Sequence, residues 1–173
     1  MPEIEFKSYA KDVKLNLGSI LKVDPESSLK ENQIHGIALA CAYASKSQNT
    51  VDTILESATQ HLSEEEIAAS KSSASIMAMN NIYYRFVHLS EDKEYGKMPP
   101  KLRMNVIGKP GIDSIDFELY CLAISAINGC GLCINSHVKQ IEKAGVSKST
   151  IQHTIRVASV INSVAQVDFI ASS

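Results

Sequence analysis

Apolar residues along most of this chain recur at spacings of three and four, and the strict alternation of a β-strand is scarce. The pattern predicts an all-α protein. Asp24-Pro25-Glu26 reads as an N-cap followed by proline at the first helical position, which opens a helix running towards Ser45. Residues 50–61, TVDTILESATQH, read as a second helix. Ser63 with Glu66 three residues later fits a capping box and starts a long helix through Phe86. Residues 90–113 break the pattern with three prolines and three glycines, as a connector or a cover over a site would. Asp113 or Ser114 caps the next helix, to about Asn128. A further helix starts at Cys130 and stops near Gly145, a C′ residue, and Ser147 caps a last helix to about Val167.

The two halves of the pattern resemble one another. When the chain is slid by 84 positions, LACAY at 39–43 falls over AISAI at 123–127. In the same register HLSEEEI at 61–67 falls over GVSKSTI at 145–151, and SASIM at 73–77 over VASVI at 157–161. This reads as a degenerate duplication, with halves at about 25–88 and 109–172, inside one domain spanning 1–173. Two repeats are too few for a solenoid, so a compact helical domain with internal pseudo-symmetry is expected. The small-residue faces of LACAY and AISAI permit close helix packing, within a subunit or between subunits.

Composition narrows the function. The 173 residues suffice for one well-buried domain, and 45% of them are apolar, so the chain is globular. The formal net charge is −2 and no basic tract exceeds two residues, which argues against nucleic acid or an anionic membrane as partner. No apolar run approaches the ~20 residues of a membrane span. The opening MPEIEFKSYAKDV mixes charges and has no apolar leader core, so a cytoplasmic location is expected. Of four cysteines, Cys41, Cys121, Cys130 and Cys133, only the last two form a close pair, unlike a secreted disulfide framework. In a cytosolic setting such a pair points to redox or metal chemistry.

Candidate chemistry concentrates in residues 118–137, ELYCLAISAINGCGLCINSH. A helix starting at Cys130 puts that thiol at the positive end of the macrodipole, which favours thiolate. Cys133 lies one turn further, close enough to close a disulfide, and His137 stands one turn beyond on the same face as a proton acceptor. Glu118 supplies an acid twelve residues before Cys130. Zinc would need four ligands; His137, Cys121 or His153 are available, but no second C-x-x-C or H-x-H pair exists. Haem attachment is excluded, because Ile134 rather than histidine follows Cys133. Cys41 and Cys121 lie in apolar helical runs and read as buried, inert thiols. His35, His61, His88 and His153 have no partner pattern and read as structural or surface residues. Arg103 and Asn105 in the connector either line a pocket or anchor the loop, and stay outside the site.

Residues 102–137, LRMNVIGKPGIDSIDFELYCLAISAINGCGLCINSH, resemble the alkylhydroperoxidase D (AhpD) family, part of the carboxymuconolactone decarboxylase-like group. The resemblance covers nearly the whole chain and is most specific over 102–145. It implies an all-helical fold, a homo-oligomer (commonly a trimer), and cofactor-free reduction of organic hydroperoxides. It implies electrons from a lipoyl-bearing acyltransferase and a two-cysteine peroxiredoxin of the alkylhydroperoxidase C type as associate. By this resemblance Cys133 attacks the peroxide and becomes sulfenic acid. Cys130 is the resolving cysteine and proton donor, and Glu118 with His137 is the proton relay. Family members carry a second histidine between the cysteines where this chain has Leu132, which cannot relay a proton. Cys130, nearer the helix start, is expected to be the sulfur that an electron donor reaches. Two rival readings remain: a dithiol carrier from lipoyl domains to a peroxiredoxin with little peroxidase activity, and decarboxylase chemistry independent of the dithiol.

Overall fold

The computed structural model describes residues 4–172, and among them every regular element is helical. The helices are α1 (Lys11–Ile20), α2 (Glu31–Ser45), α3 (Gln48–Ala58), α4 (Glu64–Leu89), α5 (Asn105–Gly108), α6 (Ser114–Ile127), α7 (Gly131–Lys143) and α8 (Lys148–Ala171). Short 3-10 turns stand at Ser8–Ala10 and Lys93–Lys97. The all-α expectation holds. Met1 to Glu3, which open the charge-mixed stretch read for a leader, lie outside the described residues. No helix among the described residues is long and apolar enough to cross a membrane.

The helix starts follow their cap chemistry. Ser63 Oγ accepts the Glu66 N–H at 3.2 Å while Glu66 Oε2 accepts the Ser63 N–H at 2.8 Å, a reciprocal capping box. Asp113 Oδ1 accepts the Ile115 N–H at 2.8 Å at the head of α6, and Ser147 Oγ accepts the Thr150 N–H at 3.2 Å at the head of α8. Gly145 ends α7 at φ +86°, with its N–H on Glu142 O and the Val146 N–H on Ile141 O, a Schellman closure.

Asp24-Pro25-Glu26 departs from expectation. Asp24 Oδ1 accepts the Glu26 N–H at 2.9 Å and Asp24 O accepts the Ser27 N–H at 2.9 Å, so the segment is a turn with proline at its second position. Ser27 Oγ then accepts the Leu29 N–H, and Ser28 N–H is donated to Thr150 Oγ1. With these backbone donors committed to side chains, the helix begins only at Glu31. Helix α1 was not anticipated. It packs on α8, where Val13 and Leu17 join a small cluster with Ile4, Ala10, Val164 and Val167.

Helices α2 and α6 pack together at the centre of the molecule. Ile34 to Ala42 of α2 are all buried, as are Phe117 and Leu119 to Ser125 of α6. Such helices, apolar all round, are stable only when neighbours cover every face. Here α3, α4, α7 and α8 do so. The helices approach most closely at Gly36, where an added Cβ would overlap the Tyr120 hydroxyl. A polar ladder fixes the end of α6 against α4. Asn81 Nδ2 donates to Ser125 Oγ (2.9 Å), Asn128 Nδ2 to Asn81 Oδ1 (2.9 Å), and Arg85 to the Asn128 carbonyl (2.7 Å). That end of α6 carries the chain into Cys130.

Candidate active site

The α6–α7 junction is a three-residue link. Gly129 takes φ +66°, a conformation that costs a side-chain-bearing residue ~1–2 kcal/mol. Its N–H bonds Ala126 O at 3.1 Å and the next N–H, that of Cys130, bonds Ser125 O at 3.1 Å. This closes α6 and turns the chain so that Cys130 becomes the N-cap of α7. Cys130 Sγ accepts the Cys133 N–H at 3.3 Å. Sulfur therefore occupies the place where helix capping favours negative charge.

Cys130 and Cys133 are joined in a disulfide, with Cα atoms 5.3 Å apart. Cys130 is fully buried, whereas Cys133 is 6% exposed and lines a cavity of about 480 Å³. The expectation that Cys130 is the reachable sulfur is thus corrected. Cys130 does not line that cavity, whereas Cys133, one turn on, does.

His137 lines the same cavity, and its Nδ1 lies 2.7 Å from Glu118 Oε2. A carboxylate only accepts, so Nδ1 carries the proton and Nε2 is left as the basic nitrogen. Both side chains are largely buried, 11% and 17% exposed, which strengthens the pair relative to one on the surface. The pairing arises because α6 and α7 pack as an antiparallel hairpin, which places the second turn of α6 beside the second turn of α7. All four sequence-derived candidates, Glu118, Cys130, Cys133 and His137, are therefore brought together.

The remaining wall comes from elsewhere. Met77, Asn80 and Tyr84 of α4, with Met104 and Ile107 from the connector and α5, close the cavity opposite Cys133. Arg103 and Asn105 do not take part; both are exposed. Leu132 stands 37% exposed at the cavity wall. The connector thus supplies part of the site, though through its apolar side chains. In sequence the α4 residues look like ordinary core positions at helical spacing; only the place of Met104 and Ile107 inside the most specific stretch, 102–145, was a signal.

The other cysteines are removed from this chemistry. Burial pushes the Cys121 thiol well above its ordinary range and nearby Glu118 adds to the effect, while burial alone raises Cys41. Both are buried, as expected, and neither ionises readily. Among the described residues, neither Cys130 nor Cys133 belongs to a group of three or more metal-ligating side chains; the one such group lies on α2 and the α3–α4 turn.

Residues 93–170 match the model of the carboxymuconolactone decarboxylase family. An alkyl hydroperoxide reductase AhpD of Coxiella burnetii is 55% identical over 96% of this chain and 94% of its own length. This chain belongs to the AhpD family. AhpD proteins of Rhizorhabdus wittichii and Rhodospirillum centenum are 50% and 48% identical, each over 92% of this chain and 90% and 84% of their own lengths. With AhpD relatives matched over nearly the whole chain, the resemblance first read from residues 102–137 holds along its length.

Proposed function

We propose that this chain is a thiol peroxidase that reduces organic hydroperoxides through Cys130 and Cys133. The observation that carries the reading is that the Glu118–His137 pair and Cys133 line one cavity. The names of the AhpD relatives support a peroxide-reducing role. In the reduced enzyme His137 Nε2 takes the Cys133 proton, directly or through water, and Glu118 stabilises the imidazolium. The Cys133 thiolate attacks the distal peroxide oxygen. The O–O bond breaks, Cys133 becomes sulfenic acid, and the alkoxide leaves as alcohol with the proton from His137 or Cys130. Cys130 then attacks the sulfenic sulfur, expelling water and forming the disulfide.

A dihydrolipoyl group, carried by an acyltransferase, reopens that disulfide. Its thiolate attacks the Cys133 sulfur at the cavity wall, and Cys130 leaves as the thiolate best stabilised by its cap position. The second lipoyl thiol resolves the mixed disulfide, so two electrons pass from lipoyl to protein. The apolar wall of Met77, Met104 and Ile107 suits an alkyl chain, of substrate or of lipoyl arm. We propose a cytoplasmic homo-oligomer, a trimer by family resemblance, working with an alkylhydroperoxidase C-type peroxiredoxin. Ile82, Phe86 and Leu89, exposed at i, i+4 and i+7 on α4, support self-association.

The deciding measurement is turnover of an organic hydroperoxide with dihydrolipoamide by wild type, Cys130→Ser and Cys133→Ser. Activity in the wild type alone is expected. A wild type without turnover, whose disulfide dihydrolipoamide still reduces, would establish the electron-carrier reading instead. Activity that survives Cys130→Ser would point to dithiol-independent chemistry.

A further inference from the structure

Away from the dithiol cavity, α2 begins with Glu31 and carries His35 one turn later, so the two share a helix face. The turn between α3 and α4 brings His61 against them. One ligand atom from each of the three lies within 4.8 Å of the others. His61 Nδ1 is 3.6 Å from Glu31 Oε1, and the two imidazoles stack with centroids 4.0 Å apart and planes 11° from parallel. His35 is only 4% exposed, and its Nδ1 is buried with no hydrogen-bond partner among the described residues. Leaving a buried polar nitrogen unmatched is costly, and the peroxide chemistry makes no use of this ring.

We propose that Glu31, His35 and His61 form a binding site for a divalent transition-metal ion, zinc(II) foremost, separate from the dithiol site. Two imidazoles and one carboxylate form a donor set that zinc takes with water in the fourth position. Ligand atoms ~2.1 Å from a tetrahedral ion stand ~3.4 Å apart, so the 3.6 Å separation of Glu31 and His61 is already near that spacing. The stacked rings set their in-plane lone pairs side by side, and coordination requires one ring to turn. His35 is held in the helix core. His61, in a turn and with 28% of its side chain exposed, is the ring placed to turn, and Glu31, 61% exposed, can follow it. The ion then staples the α3–α4 turn to the first turn of α2.

The test is calorimetric titration of zinc chloride into the disulfide form, in which Cys130 and Cys133 cannot act as thiolate ligands. One ion per wild-type chain is expected, together with a zinc-dependent rise in the thermal midpoint. His61→Ala and Glu31→Gln, at half-buried and exposed positions, should each weaken binding by at least the ~10–100-fold that loss of an outer-shell partner costs. They should also abolish the thermal rise. His88→Ala, at an exposed histidine, should bind like wild type. Absence of binding to wild type, or binding indifferent to both substitutions, overturns the proposal. Should His61→Ala fail to fold, Glu31→Gln alone decides.

Discussion

The hydrogen bond from His137 Nδ1 to Glu118 sets which nitrogen faces the chemistry, and a single-atom change tests it. In Glu118→Gln the amide can accept or donate, so the tautomer is no longer imposed. Peroxide turnover should fall by ~10²–10⁴, the usual worth of a positioned base, while reduction of the disulfide by dihydrolipoamide continues. Stopped-flow measurement of the two half-reactions separates them; equal loss in both would contradict this division of labour. Leu132 borders the cavity in the place of a relay, and there it offers only apolar contact. Leu132→Ala should raise KM for a bulky alkyl hydroperoxide by about three- to tenfold, the value of a partly buried leucine side chain, and leave hydrogen peroxide turnover nearly unchanged. Cys130, Cys133 and His137 were legible in sequence because one helix carries them at fixed spacing. Glu118 was legible only through family resemblance, since its partner lies across a hairpin. His35 and His61 looked structural because nothing in their separation announces that a turn brings them face to face.

At the scale of the element, three helix starts were read from their side-chain caps, while the Ser47 cap, which starts α3 at Gln48 rather than at the expected Thr50, was missed. Ser63, Asp113 and Ser147 each bond a nearby N–H, and α4, α6 and α8 begin where they indicate. Helix α1 has no side-chain cap bond at Ala10, and only the spacing of Val13, Leu17 and Ile20 hinted at it. Asp24 misled because an Asp-Pro pair serves a turn as well as a helix start. The closest helix crossing rests on one missing methyl group. Gly36→Ala drives a Cβ into the Tyr120 hydroxyl between two core helices, neither of which can retreat freely. A loss of ~1–3 kcal/mol or more is expected in denaturant unfolding; an unchanged midpoint would mean the crossing is looser than its geometry implies.

Over the whole molecule, α2, α3 and α4 are followed by α6, α7 and α8 in the same order, and α2–α8 packing is matched by α6–α4, as α3–α8 is by α7–α4. The shift of 84 places Ser63 on Ser147. This exchange pattern supports our proposal that the domain is a degenerate duplication with the chemistry in its second half. Acid should loosen the assembly of helices. Burial holds the pKa of His153 on α8 below its ordinary value, and Arg156 acts in the same direction, against a hydrogen bond with the Ile20 backbone and the charge of Asp24. The unfolded chain then binds that proton more readily than the folded one. The stability it contributes is complete above about pH 6.5 and declines as pH falls through that value. His153→Gln should flatten this part of the thermal-midpoint profile; an unaltered slope would assign the acid sensitivity to other groups. The Cys130–Cys133 bond, finally, joins residues only three positions apart in the chain. Loop-closure entropy grows with ring size, so this link restrains the unfolded chain by only about 2 kcal/mol, against nearly 5 for a hundred-residue ring. Oxidised and reduced protein should therefore melt within a few degrees of each other, and the proposed catalytic cycle would make and break this covalent bond without putting the architecture at risk.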